Sequence, residues 1–153
     1  MSITQEIYIQ SDLDLVWRAW TKSERITKWF APAAEIELEK NGKFELYFDP
    51  SNKNSMSTIG CKIIKYEEPH LLEIQWKGPD EFAEFMNGQE QLTTVKIELV
   101  SKDGGTNVTL EHSGWLDTDD WQSAKMWHVK AWEQALSSLK SNMESGEGIL
   151  CCK

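Results

Sequence analysis

The sequence predicts an α+β fold in which an antiparallel sheet of about six to seven strands is covered by one long C-terminal helix, with two short helices after the first strand. Three observations carry this. Between Glu35 and Ser113 apolar and polar residues alternate in short runs, the period-two signature of half-buried strands. From Asp119 to Met143 the period lengthens to that of a helix with one apolar face. Between Ser11 and Phe30 the helical spacing appears twice, in bursts too short for one long helix.

Residues 2–9, SITQEIYI, place Ile3, Ile7 and Ile9 on one side and read as the first strand. SDLD, Ser11 to Asp14, has capping-box character, and Leu13, Val16, Trp17 and Trp20 follow at helical spacing. A second capping box, TKSE from Thr21 to Glu24, opens a short helix with Ile26, Trp29 and Phe30 on one face. Pro32 ends it, because the residue before proline is pushed out of helical geometry. Strands are then expected at 35–39, 43–48, 57–66, 71–76, 93–101 and 105–113. The links carry turn signals (NG at 41–42, DPSNKNS at 49–55, EEPH at 67–70, KDGG at 102–105), and such short links imply an antiparallel meander. One connection differs. Segment 77–91, KGPDEFAEFMNGQEQ, is long and acidic yet holds Phe82, Phe85 and Met86 at helical spacing, which suits either a loop turn tucked onto the sheet edge or a lid. Asp117, Asp119 and Asp120 suit the positive N-terminal end of the last helix, and Gly146 and Gly148 end its pattern. Residues 1–145 are expected to form a single domain and 146–153 a flexible tail.

With about 100° per residue and Trp132 at the origin, Trp121, Lys125, His128, Trp132, Leu136, Leu139 and Met143 gather within about 40° of one line along the last helix. The C-terminal half of that stripe is purely apolar and reads as core. The N-terminal half interleaves Trp121 and Trp132 with Lys125 and His128. A buried lysine or histidine without a partner costs several kcal/mol, so this half must face water, a partner group or a cavity. Trp127 falls about 140° away, where segment 77–91, a second subunit or solvent would meet it. On the sheet, alternation groups Leu72, Ile74 and Trp76, then Val95, Ile97 and Leu99, then Val108, Leu110 and His112. His112 is thereby expected to point inward like His128.

Eight tryptophans in 153 residues place large, rigid, amphipathic surfaces in a small protein. The chain holds 25 acidic against 16 basic residues, a net charge of −9, and has no basic run, which argues against a nucleic-acid partner. Apolar runs are too short to span a membrane, and MSITQEIYIQ has neither the charged head nor the apolar stretch of a secretion signal, so a cytoplasmic location is expected. Cys61, Cys151 and Cys152 are odd in number and lack metal-ligand spacing, which reads as reduced thiols. No metal and no cofactor is expected.

Four segments carry a family resemblance. VWRAWTKSERITKWFAP (16–32) resembles an N-terminal signature in which a Val-Trp-Arg-Ala helix leads to a Trp-Phe-small-Pro end. GCKIIKYEEPHLLEIQW (60–76) resembles a Gly-strand-Glu-Pro-turn-strand-Trp segment, TNVTLEHSGW (106–115) a Thr-strand-His strand, and HVKAWEQALSSL (128–139) a His-x-x-Gly-Trp-x-x-x-Leu-x-x-Leu helix. Together they resemble the START-like, helix-grip superfamily, in the group related to the C-terminal domain of the heat-shock-protein-90 ATPase activator. Ala131 departs from the pattern, where that group usually has glycine. The resemblance implies a curved sheet wrapped around the long helix with a cavity between them; members bind hydrophobic ligands, transport lipids, cyclise polyketides or act as co-chaperone modules.

The expected function is binding of a hydrophobic or aromatic small molecule in that cavity. Trp29, Phe30, Trp76, Trp115 and Trp132 would offer stacking surface, and Lys125, His112 and His128 polar anchors. One alternative is a cyclase- or hydrolase-type enzyme with His112 or His128 as general base. No nucleophile elbow, metal-ligand spacing or paired-carboxylate motif accompanies the histidines, so no catalytic residue is assigned. The other is a protein-interaction or co-chaperone-like module, homodimer included, acting through Trp127 and segment 77–91.

Overall fold

In chain order the elements are β1 (Ile3–Ile9), α1 (Leu13–Thr21), α2 (Ser23–Ile26), β2 (Ala33–Ile36), β3 (Phe44–Tyr47), β4 (Ile63–Glu67), β5 (Leu71–Trp76), α3 (Ala83–Met86) behind a 3-10 turn at Asp80–Phe82, β6 (Thr93–Lys102), β7 (Gly105–Ser113) and α4 (Asp119–Ser145). The computed structural model describes residues 2–145; the expected tail, with Cys151 and Cys152, lies outside them. The strands form a five-stranded sheet in the order β1-β7-β6-β5-β4 and a two-stranded sheet of β2 and β3, every pairing antiparallel. With the long helix laid on it, this is a helix-grip fold.

The expected strand at 57–66 is broken, and with it the single meander. Gly60 takes φ +86, a backbone region that side-chain-bearing residues rarely adopt, and the register slips between Ile63 and Lys65. Residues on either side of the kink turn instead to β3: the Thr58 N–H donates to the Leu46 carbonyl, and the Cys61 carbonyl accepts from Phe44. Bridges Lys43–Lys62 and Tyr47–Ser57 carry the surface from one sheet to the other. A bend at this point curls the sheet and leaves a concave face.

That face is built in rows. Ile3, His112, Val95 and Ile74 stand in register across four strands, as do Leu110, Ile97 and Leu72 across three, and all are buried. Apolar alternation on neighbouring strands, held in register by hairpins, makes such rows unavoidable. The apolar stripe of α4 lies over them, with Trp132, Leu136 and Leu139 buried.

Neither expected capping box forms. Asp12 precedes α1 without a side-chain cap bond. Thr21 ends α1 rather than opening α2, because its buried hydroxyl donates back to the Trp17 carbonyl at 2.8 Å. The α2 turn begins behind Lys22 instead, and Ser23 Oγ accepts from the Ile36 amide at 3.1 Å, tying α2 to β2. Beyond α2, Trp29 is anchored twice. Its indole N–H donates to the Ala19 carbonyl at 2.9 Å, and its own carbonyl accepts from Ser138 of α4 at 2.6 Å. These bonds seat Trp29 and Phe30 beneath the long helix.

Among the described residues no helix is long and apolar enough to cross a membrane. The β6–β7 hairpin closes against β1 so tightly that a methyl group on Gly105 would sit 2.6 Å from the Ile9 carbonyl oxygen and collide with the Tyr8 hydroxyl. Gly105→Ala is expected to lower unfolding stability by about 1–3 kcal/mol, read by urea denaturation; an unchanged midpoint would show that β1 can move aside at no cost.

Candidate functional site

Between α4 and the concave face, toward β3 and β5, lies a cavity of about 710 Å³. Trp29, Phe30, Trp76 and Trp132 form its inner wall. Phe48, Met56 and Ser57 close it on the β3 side, and Gly78, Pro79 and Trp127 on the other. From α4, His128, Ala131 and Ala135 face it, while exposed Glu133, Gln134 and Ser137 stand at its rim. The rings are ordered against one another. Trp29 and Phe30 stack at 4.9 Å with 19° between planes, Phe30 and Trp76 at 6.0 Å with 14°, and Trp132 lies 4.9 Å from Trp76 at a tilt of 48°. Offset-stacked and tilted pairs of this kind are favourable beyond the area they bury, so the wall is stiff.

Behind the wall are two buried histidines whose ring centroids are 5.2 Å apart. Trp132 donates its indole N–H to His112 Nδ1 at 3.0 Å. An indole can only donate, so Nδ1 is the bare nitrogen, Nε2 carries the proton, and that proton meets Thr93 Oγ1 at 2.7 Å. His128 is the mirror case. Its Nε2 accepts from the Trp76 indole at 3.3 Å and its Nδ1–H donates to the Ala124 carbonyl at 2.8 Å. Trp115 packs against both imidazoles, at 4.5 and 5.1 Å, and donates to the His112 carbonyl at 2.9 Å. Burial, reinforced by the neighbouring His128, pushes the pKa of His112 well below its usual 6.5. Burial alone brings His128 to about 4, against a small opposing effect of the Ala124 carbonyl. Both rings are neutral near pH 7.

Of the eight residues expected to meet a ligand, Trp29, Phe30, Trp76, His128 and Trp132 share the cavity. His112 and Trp115 stand behind it as support. Lys125 goes elsewhere: it is half-buried in a shallow groove beside Ser2 and the first residues of β1, with Val129 and Glu133. Helical geometry explains the split. The cavity lies on the flank of α4 centred near Ala131, about 100° round from Trp132, whereas Lys125 lies about 120° from Ala131, roughly 20° beyond Trp132 on the side facing β1. Trp127, about 140° from Trp132, is only about 40° from Ala131 and joins the rim. It is 40% exposed, with Phe82 of segment 77–91 at 6.1 Å. That segment is thus a packed wall: Met86 is fully buried, and Phe85 meets Trp121 at 5.3 Å. Phe48, Met56 and Pro79 were not legible from spacing, whereas the small pair Ala131 and Ala135, one turn apart beside Trp127, is a signal that could have located the cavity flank.

Elsewhere the polar groups are structural. The Tyr47 hydroxyl is held between Glu45 and Glu35, and burial pushes the Cys61 thiol up to about 12, so it is no nucleophile. Among the described residues no group of three His, Cys, Asp or Glu is placed to hold a metal ion.

A curved sheet gripping a long helix around an aromatic cavity defines a START-like protein. Residues 10–144 match the family model described as Activator of Hsp90 ATPase homolog 1-like protein, and the chain belongs to that family. Similar solved structures include the Aha1 dimer of Colwellia psychrerythraea (21% identity, 97% of this chain and 99% of that one, TM-score 0.75). An HSP90 activator from Plasmodium falciparum is also similar (21% identity, 91% and 93%, TM-score 0.67). So is CalU16 of Micromonospora echinospora (23% identity, 95% and 77%, TM-score 0.67). At these identities the likeness is one of fold. No curated protein matches the chain in sequence.

The histidines make stability depend on pH with a definite sign. Both are held neutral by folding, so the unfolded chain binds protons that the folded chain does not. Their contribution is full above the unfolded pKa of 6.5 and is lost as pH falls through each folded-state pKa, about 4 for His128 and well below 6.5 for His112. Between pH 6.5 and 5 the unfolding free energy is expected to fall by up to about 1.4 kcal/mol per pH unit for each histidine, and His128→Gln to reduce that slope. A flat profile in wild type over that window would mean that neither ring is held neutral.

Proposed function

We propose that the protein binds a hydrophobic, ring-bearing small molecule in the cavity between α4 and the curved sheet. One observation carries the reading: six aromatic side chains, Trp29, Phe30, Phe48, Trp76, Trp127 and Trp132, converge on a single space of about 710 Å³. That volume falls within the usual span of small-molecule pockets, and a mostly apolar lining with a few polar groups at the edge is what such pockets have. The family's fold supports the reading without naming the guest.

Acid–base catalysis in the same space is disfavoured by the histidines themselves. Each commits its one lone pair to an indole N–H, and burial lowers its basicity. A general base needs that lone pair free and a pKa near the working pH.

Four tryptophans line the cavity, so occupancy is expected to change intrinsic fluorescence. Ala131→Trp is the decisive variant: Ala131 is half-buried at the centre of the α4 flank and opens onto the void, so a larger side chain has room to fold inward. It is expected to leave the melting temperature nearly unchanged and to weaken binding of lipophilic aromatic probes at least about tenfold, since it fills much of the space they need. A lipophilic and aromatic library that leaves wild-type fluorescence and melting unmoved would sink the proposal, as would probe binding that Ala131→Trp does not affect.

A further inference from the structure

The inner wall of the cavity contains many polar atoms, yet they face one another and not the void. The indole N–H of Trp29 is taken by the Ala19 carbonyl, that of Trp76 by His128 Nε2, and that of Trp132 by His112 Nδ1. His128, the imidazole in the lining, has its second nitrogen bound to the Ala124 carbonyl. Even the peptide in the wall is closed. The Gly78 N–H donates to Asn87 Oδ1 at 2.8 Å and the Gly78 carbonyl accepts from Asn87 Nδ2 at 3.0 Å. What remains for a guest inside is apolar: ring faces, the Ala131 and Ala135 methyl groups and the Met56 thioether, whose sulfur already meets the Asp80 amide. Side chains with polar groups left to offer, half-buried Lys77 and exposed Trp127, Glu133, Gln134 and Ser137, sit toward the rim.

Resting on the ligand-binding reading above, we propose that the guest is an amphiphile whose buried body is a flat ring system or hydrocarbon free of donors and acceptors, inserted body first, with its one polar end left at the mouth. The selection is by penalty. A hydroxyl or amide carried into the interior would lose its water and find no partner, because each inner donor and acceptor named above is already bonded. A second, independent consequence is that specificity depends on bonds the guest never touches. Breaking one of them exposes a polar atom to the cavity and should admit the guests that the intact wall rejects.

A matched pair of probes tests this: 6-methylanthracene-2-carboxylate and 6-hydroxyanthracene-2-carboxylate, titrated against tryptophan fluorescence. They share the carboxylate end and differ at the far, buried end by a methyl against a hydroxyl of similar size. Wild type is expected to bind the methyl probe at least about tenfold more tightly. In Trp76→Phe, which removes the indole N–H and leaves His128 Nε2 bare, the preference is expected to shrink several-fold. Asn87→Ala, which uncovers the Gly78 peptide, is expected to do the same and serves if the first variant does not fold. Equal binding of the two probes to wild type overturns the proposal. So does a preference that both variants leave intact, since it would then reflect only the greater hydrophobicity of the methyl. If neither probe alters the fluorescence of wild type, the cavity does not bind such molecules and the ligand-binding reading falls with the inference.

Discussion

Two reciprocal hydrogen bonds hold the long helix to the sheet beside the cavity, while Gln5 to the Val129 carbonyl and Lys140 to the Tyr8 carbonyl tie its other flank to β1. Trp132 on α4 donates to His112 on β7, while Trp76 on β5 donates to His128 on α4. One link runs from helix to sheet and the other from sheet to helix, one turn apart along α4. A single contact would let the helix roll or slide; two crossing ones fix its height and rotation together. Both lie among buried rings, where an unpaired donor or acceptor would cost about 1–3 kcal/mol, so a rotated helix would leave four polar groups unsatisfied. With Trp132 pinned over the sheet, the flank carrying Ala131 and Ala135 must turn toward β3. Ala131 and Ala135 are too small to fill the space between Trp127 and Trp132, and a cavity is left.

The same logic explains why this wall is tryptophan-rich and not simply apolar. An indole brings a large rigid face and one donor, so it can line a cavity on one side and hold the fold together on the other. At Trp29, Trp76 and Trp132 both halves are used. At Trp17 and Trp20, under α1, only the face is. Their buried N–H groups have no hydrogen-bond partner among the described residues, and Trp20 gains instead an edge-on contact with Trp29 at 4.8 Å. These two indoles therefore hold α1 by packing alone, whereas those of the cavity wall also make directed bonds.

How far this was legible in the sequence follows from what each signal measures. Period two and period 3.6 report which residues are buried, and they located β1, β5, β6, β7 and α4 to within a residue or two, including the inward turn of His112. Turn chemistry is more local and more easily overridden. The capping motif at Thr21 lost to a hydroxyl bond back to Trp17, and the run at 57–66 lost to the kink at Gly60. The site was legible in part because a helical stripe marks where a helix touches its sheet, not where it stops touching. Lys125 belongs to the opposite flank from the cavity, beside β1, and Trp127 to the cavity flank itself. Long-range bonds tell the flanks apart, and a bond between residues 52 or 20 positions distant leaves no mark on either local pattern.

The irregular segments complete the cavity in a way that strand and helix could not. Met56, in the left-handed region at φ +48, and Pro79 come from two different long connections, yet both line the space. They are fastened to each other. The Asp80 carboxylate accepts from the Met56 amide at 3.0 Å and from the Ser55 hydroxyl, and these bonds hold its pKa below the usual carboxylate range. On its other side segment 77–91 is clamped to α4, Phe82 against Trp127 and Phe85 against Trp121. The rim from β3 to the helix is therefore one continuous structure, joined at an exposed carboxylate near the mouth and at ring contacts near the helix. A displacement of segment 77–91 must either carry Met56 with it or break the Asp80 bonds, which, being exposed, are the weaker attachment. The inner wall is rigid and sealed against polar contact; any widening of the cavity has to begin at that rim.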